Sequence, residues 1–280
     1  MNTAIVLAGG SGRRMNSDIP KQYMMLKGKP VIYYSLKAFQ DNLHIDDIIL
    51  VTSDHYIEYV KKNILDDTLD KVSKVIQGGV DRYDSVWEGL KCIKESGYVF
   101  IHDGARPCIS QKLINDCYET VVEDGACIAA VPVKDTIKIA DSEGYAAKTP
   151  DRNTLWQIQT PQVFEYDIIK SAYSSLYRSG RFNGVTDDAM VLERFGEHRI
   201  KLVYSDYRNI KITLSNFQFC PPPRNVSLLT GRKQKDRSLP QDPLRWSHPG
   251  SLRLLAGWIV CWVVGGTAEY PHSLRHSGQL

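Results

Sequence analysis

No Cys-x-x-Cys pair occurs among the six cysteines, Cys92, Cys108, Cys117, Cys127, Cys220 and Cys261, and their scatter has no metal-ligand spacing. A zinc ribbon and a redox dithiol are therefore excluded, and the thiols read as reduced structural groups of a cytoplasmic protein. No charged segment precedes the short apolar run near Met1, which a glycine turn interrupts at once, so it does not read as a secretory signal. The apolar stretch 254–264 is too short to span a bilayer, and Gly257, Gly265 and Gly266 weaken it further. No membrane partner is expected. Among the seven histidines no Ser/His/Asp arrangement stands out. A strong charge of one sign is missing too. Residues 1–213 hold 27 basic and 29 acidic side chains, a net of −2, and residues 214–280 hold eight and three, a net of +5. A nearly neutral body makes no case for a nucleic-acid surface.

What is present is ordinary globular material: 280 residues, 42% hydrophobic and 24% charged. That length fits one large domain or two small ones. Apolar runs at 4–7, 47–52, 72–77, 98–102, 126–133 and 200–204 read as strands. Amphipathic stretches at 30–40, 57–63, 85–95, 111–124, 166–179 and 187–195 read as helices. The alternation predicts an α/β fold, Rossmann-like and doubly wound, with a mostly parallel sheet and helices on both faces. The segment 134–162 breaks the pattern. Thr136-Ile137-Lys138-Ile139-Ala140 alternates, Asp141-Ser142-Glu143-Gly144 is a turn and 155–159 alternates again. It reads as a protruding β-hairpin arm of the kind that packs on a partner, so a homodimer is expected. Residues 214–280 hold seven of the 13 prolines and three of the five tryptophans, without a sustained period. They read as an atypical tail, disordered or foreign to a domain at 1–213.

The chemistry gathers after the first strand. Ala4-Ile5-Val6-Leu7 runs into Ala8-Gly9-Gly10-Ser11-Gly12-Arg13-Arg14-Met15, and Pro20-Lys21-Gln22 follows. Glycines let a backbone turn expose N–H groups, and arginine and lysine suit a polyphosphate. The spacing is neither a P-loop nor a dinucleotide fingerprint, which would need a third glycine. Read alone, the segment is a phosphate cradle or a plain glycine turn. Asp103 closes a strand and faces, by topology, the same sheet edge; a carboxylate there suits Mg²⁺ on a triphosphate or a simple turn. Gly78-Gly79 leads into Ser85, read as a helix N-cap boxed by Glu88, or as a contact to a base or ribose. Asp151-Arg152 reads as an exposed pair, Thr186 as a helix cap and Arg208 to Thr213 as a solvated basic end.

Taken together these pieces resemble the 2-C-methyl-D-erythritol 4-phosphate cytidylyltransferase family of the non-mevalonate isoprenoid route. The matching set, in order, is Leu7 to Met15, Pro20-Lys21-Gln22-Tyr23, Gly78-Gly79 with Arg82 and Asp84-Ser85-Val86, and His102-Asp103-Gly104-Ala105-Arg106-Pro107. It continues with Pro132-Val133-Lys134-Asp135-Thr136, Asp151-Arg152-Asn153 with Leu155-Trp156, Gln159-Thr160-Pro161-Gln162, Thr186-Asp187-Asp188-Ala189 and Asn209-Ile210-Lys211-Ile212-Thr213. The resemblance implies that CMP passes from CTP to the polyol phosphate with release of pyrophosphate. It implies Arg14, Lys21 and Lys211 as catalytic groups at the phosphates. It places Ala8, Gly9, Gly10, Gly12, Gly79, Ser85 and Gly104 around CTP, and Asp103 on Mg²⁺ or another divalent cation. Thr136, Arg152 and Thr186 would meet the second substrate, the first two across a homodimer. Two departures stand out. Arg208 occupies the position where the family places an Asp, so that either a metal ligand is lost or Asp206 substitutes for it, and the family's final helix is replaced from Leu214 on. Ribitol-5-phosphate cytidylyltransferase shares most of the motifs, although 102–107 and 155–159 are closer to the methylerythritol enzyme. A nucleotide-binding protein impaired by the altered C-terminus is the alternative of another class. A nicotinamide oxidoreductase lacks its third glycine.

Overall fold

The computed structural model describes residues 1–10, 19–95 and 97–213. Met1–Leu214 forms one compact unit. Strand β1 (Thr3–Ala8) leads, past two short paired strands β2 (Met25–Leu26) and β3 (Lys29–Pro30), into helix α1 (Val31–Gln40). Then β4 (Asp47–Thr52), α2 (Asp54–Asn63), β5 (Val72–Gln77), α3 (Arg82–Cys92), β6 (Tyr98–Asp103), α4 (Gln111–Asp124) and β7 (Ala126–Pro132) alternate. A small hairpin, β8 (Ile139–Ala140) and β9 (Ala146–Lys148), precedes β10 (Trp156–Glu165), α5 (Tyr166–Ser179), α6 (Asp188–Phe195) and β11 (Lys201–Tyr204).

Seven strands make one sheet in the order β11-β7-β10-β6-β1-β4-β5. Only β10 runs against its neighbours in it, pairing antiparallel with both β6 and β7. The inner strands are apolar on both faces, as a sheet covered twice requires. Period-two alternation sorts their side chains. Ala4, Val6, Ile48 and Leu50 join α1, α2 and α4 in one core layer. Ile5, Ile49 and Val51 join α3, α5 and α6 in the other. The expected doubly wound, mostly parallel α/β fold is therefore present. Caps set the helix ends: Ser110 Oγ accepts from Leu113 N, and Gly125 closes α4 with φ of 71°. Positive φ is open to glycine without a Cβ clash.

Three readings of the sequence need correction. Residues 155–159 are not the return strand of the arm. From Trp156 on they open the ten-residue β10, whose Val163 and Phe164 are fully buried in the sheet. Their alternation reflects a half-covered strand end, which looks the same from sequence whether its partner is an arm or a sheet. The exposed arm is thus shorter, carrying β8 and β9 around a turn in which Asp141 Oδ1 accepts from Glu143 N and Tyr145 N. Ser85 is not the cap of α3. Asp81 is, and Asp84 completes the box from inside the first turn, while Glu88 pairs with Lys91 instead. Asp187, not Thr186, caps α6, accepting from Met190 N at 2.9 Å.

Candidate active site

Strands β1 and β6 are parallel neighbours, with Leu7 level with Asp103. The chain leaves β1 towards β4 on one side and returns to β6 on the other. Their carboxyl ends therefore flank a topological switch point, where crevices form in such sheets. Gly104 N donates to Leu7 O at 2.9 Å, and a Cβ on Gly104 would stand 3.0 Å from that oxygen. A side chain at 104 would thus crowd the close approach of the two strand ends.

Asp103 is the electrostatic centre of this edge. Its Oδ2 lies 2.7 Å from Lys211 Nζ and 3.9 Å from Arg106 Nε; its Oδ1 lies 3.5 Å from Arg82 Nε. Burial alone pushes the carboxyl up, but Arg82, Lys211 and Arg106 outweigh it and hold Asp103 well below the usual carboxylate range. Arg82 is itself fixed from behind. Its two terminal nitrogens grip both oxygens of the fully buried Asp188, at 2.9 and 2.7 Å. Tyr173 Oη donates to the same carboxylate at 2.6 Å. Such a bidentate fork fixes the guanidinium plane as well as its position. Gln162 on β10 accepts from Asp188 N and Ala189 N, both at 3.0 Å, and so docks α6 where Asp188 meets Arg82.

Lys211 reaches Asp103 because the chain end is stitched to the turn after β6. Ile212 N donates to Ala105 O, Arg106 Nη1 donates to Asn209 O, and Asn209 Nδ2 donates to Thr160 O at 2.8 Å. The solvated reading of the 208–213 end is incomplete for Lys211, which stays exposed but is ion-paired to Asp103. The Asp206 carboxylate is held by Arg208. His102 locks the same turn. Its Nε2 faces Arg106 O at 3.2 Å and must carry the proton, so Nδ1 accepts from the Thr160 hydroxyl, which itself accepts from Asp103 N. Burial pushes the imidazole down to about 4.

A second corner of this edge is built from glycines. A Cβ on Gly79 would stand 2.1 Å from Asp84 Cβ, and one on Gly78 would stand 2.6 Å from Ser85 Oγ. Gly9 faces the same hydroxyl, its ideal Cβ position 3.6 Å away. Ser85 is buried and donates to Asp81 O. Ala8, Gly9, Gly79 and Ser85 thus share one corner, and Gly10 borders open space. Lys21 opens a 3-10 turn, Lys21–Tyr23, whose Gln22 donates to Ala8 O and Gly10 O. Gly12 and Arg14 lie outside the described residues. Thr136 and Arg152 stand exposed on the arm, Arg152 donating to Lys134 O; Asp151 caps the next turn through Asn153 N instead of pairing with Arg152. Thr186 is exposed just before α6.

Arg82, Asp188, Arg106 and His102 were not picked out from composition or spacing as site residues. A buried Asp among helix-cap residues and an Arg beside a capping box read as local structure. Their pairing spans 106 positions and has no sequence signal. Among the described residues no group of three or more His, Cys, Asp or Glu side chains could hold a metal. Asp103, already paired with Lys211, Arg82 and Arg106, is the carboxylate this edge offers a hard cation, whose other ligands would be phosphate oxygens and water.

A family model described as 2-C-methyl-D-erythritol 4-phosphate cytidylyltransferase matches residues 2–217. The chain is similar to the protein of that name from Lachnospira eligens, 66% identical over 213 residues, covering 76% of this chain and 94% of the relative. It is 50% identical over 214 residues to the one from Lachnoclostridium phytofermentans, covering 75% and 90%. Two solved structures resemble it, each at 34% identity over 77% of this chain. They are 4-diphosphocytidyl-2C-methyl-D-erythritol synthase from Anaerococcus prevotii, TM-score 0.66 with 92% of that chain covered, and 2-C-methyl-D-erythritol 4-phosphate cytidylyltransferase from Francisella tularensis, TM-score 0.65 with 95% covered. With a match that runs from the first strand through the Lys211 segment, the chain belongs to the 2-C-methyl-D-erythritol 4-phosphate cytidylyltransferase family.

Proposed function

We propose that this chain transfers CMP from CTP to 2-C-methyl-D-erythritol 4-phosphate and releases pyrophosphate, a step of isoprenoid precursor biosynthesis. The observation that carries this reading is the cluster of Arg82, Arg106 and Lys211 around Asp103, beside the glycine corner of Ala8, Gly9, Gly79 and Ser85. Cations outnumber carboxylates there, which suits a site that gathers phosphate groups from two substrates.

The nucleophile is a phosphate oxygen of the polyol phosphate, already anionic, so no covalent enzyme intermediate is required. It attacks the α-phosphorus in line as pyrophosphate leaves. Catalysis then consists of positioning and charge neutralisation. In this reading Arg14 and Lys21 hold the triphosphate, and Lys211 turns from Asp103 to the transferring phosphate. Ala8, Gly9, Gly10, Gly12, Gly79, Ser85 and Gly104 shape the cytidine side. Thr136, Arg152 and Thr186 hold the methylerythritol phosphate, with the arm reaching across a homodimer. Asp103 would hold Mg²⁺ on the triphosphate. A bound divalent ion there would offset phosphate charge in the transition state. Among the described residues no helix is long and apolar enough to cross a membrane. We place the reaction in the cytoplasm, with its water-borne substrates.

The test follows pyrophosphate release by the full-length chain with CTP, Mg²⁺ and either methylerythritol phosphate or ribitol 5-phosphate. Faster turnover of the former supports the reading. Faster turnover of ribitol phosphate overturns the substrate, and CTP binding without pyrophosphate release overturns the activity.

A further inference from the structure

Gln22 is a buried polar side chain to which the chemistry above assigns nothing. It is 3% exposed and lies at the middle of the Lys21–Tyr23 turn. Its amide nitrogen donates to Ala8 O at 2.6 Å and to Gly10 O at 3.0 Å. Those carbonyls flank Gly9, where β1 gives way to the glycine turn. The next residue secures the other side. Tyr23 stacks on Tyr56 of α2 with ring centroids 4.3 Å apart, and its hydroxyl is hydrogen-bonded to Thr52 Oγ1 at the end of β4. The Lys21 turn is thus tied to two strand ends, through Gln22 on one side and Tyr23 on the other.

We propose that Gln22 is a positioning residue: its amide clips the Lys21 turn to the backbone on both sides of Gly9 and so sets where Lys21 stands relative to the glycine corner. This rests on the reading of Lys21 as a phosphate-contacting group. The chemistry of the side chain fits the task. An amide NH₂ carries two donors, one for each carbonyl. Methionine of similar length fills the space with no donor. Glutamate of equal length sets an oxygen against two carbonyl oxygens, which raises its pKa, and it regains a donor only on protonation. A misplacement of about 1 Å near reacting groups lowers turnover by as much as ~100-fold.

The experiment measures steady-state kinetics of the full-length chain as Gln22→Met, Gln22→Glu and Lys21→Ala, with a thermal melt of each. For Gln22→Met we expect a cooperative melt, kcat lower by about tenfold or more, and a KM for the polyol phosphate within about twofold. For Gln22→Glu we expect a larger deficit at about pH 8 that narrows towards about pH 6 as the introduced carboxyl protonates. A purely structural role would lower the melting temperature without that pH-dependent recovery. Wild-type kcat in Gln22→Met, or a Gln22→Glu deficit that is flat with pH, overturns the clip. If Lys21→Ala turns over normally, the reading of Lys21 fails and the clip with it. If Lys21→Ala is inactive while Gln22→Met matches the wild type, the clip alone fails.

Discussion

Asp103 shows how one residue takes its meaning from distant neighbours. In sequence it closes a strand; in the fold three cations from positions 82, 106 and 211 converge on it. Replacing Lys211 by Ala removes the closest of them, and we expect kcat to fall by ~100-fold or more with the fold intact, read by pyrophosphate release and circular dichroism. Asp188 carries a structural load as well. Asp188→Asn leaves Arg82, a quarter exposed and still beside Asp103, against a neutral partner; breaking a fully buried pair costs on the order of 3–5 kcal/mol, so a loss at the low end of that range is expected. Urea unfolding checks this; a loss under about 1 kcal/mol would show that the pair does not hold α6 to α3. His102 makes stability depend on pH. Burial holds its folded pKa at about 4, while the unfolded chain binds that proton near pH 6.5. Its contribution is complete above about pH 6.5 and declines as pH falls towards 4, by ~1.4 kcal/mol per unit. Between pH 7 and 5 the unfolding free energy should drop by about 2 kcal/mol from this group, and His102→Asn should flatten that slope. Motif order made Asp103, Lys21 and the glycines legible as site residues; it also contained Arg82, Asp188 and His102 but gave them no role, because the Arg82–Asp188 pair and the His102–Thr160 contact join residues remote in the chain.

At the scale of elements, spacing alone predicted β4, β5, α4 and α5 with their observed bounds. Each combines a continuous apolar pattern with clear punctuation, such as Gly125 after α4 and Gly180 after α5. Predicted ends failed where polar residues serve two purposes. The start of α3 was placed three residues late because Ser85 looks like a cap, yet Asp81 and Asp84 cap and Ser85 faces Gly9 and Gly78. Packing of that first turn against the preceding glycines is testable. Gly79→Ala places a Cβ within 2.1 Å of Asp84 Cβ, and the backbone shift it forces should cost roughly 1–3 kcal/mol. A melting temperature within about a degree of wild type would show that the loop relaxes at no cost. The arm was overextended because 156–165 belongs to a strand whose two neighbours lie elsewhere in the chain.

For the molecule as a whole, Met1–Leu214 is one compact unit with two core layers on a single sheet. If residues 214–280 are extraneous to it, a chain ending at Thr213 should keep its melting temperature and its pyrophosphate release. A large loss of folded protein would show that the tail contributes to the fold. Alternating apolar runs, glycine punctuation and the ordered motifs determined the fold class, the candidate edge of the sheet and the family, because each is written locally, within a strand or a turn. The Arg82–Asp188 fork, the antiparallel entry of β10, the stitching that delivers Lys211 and the Gln22 clip were decided by tertiary structure. They join residues far apart in the chain, and ion pairs and hydrogen bonds act over ångströms in space whatever the number of residues between their partners.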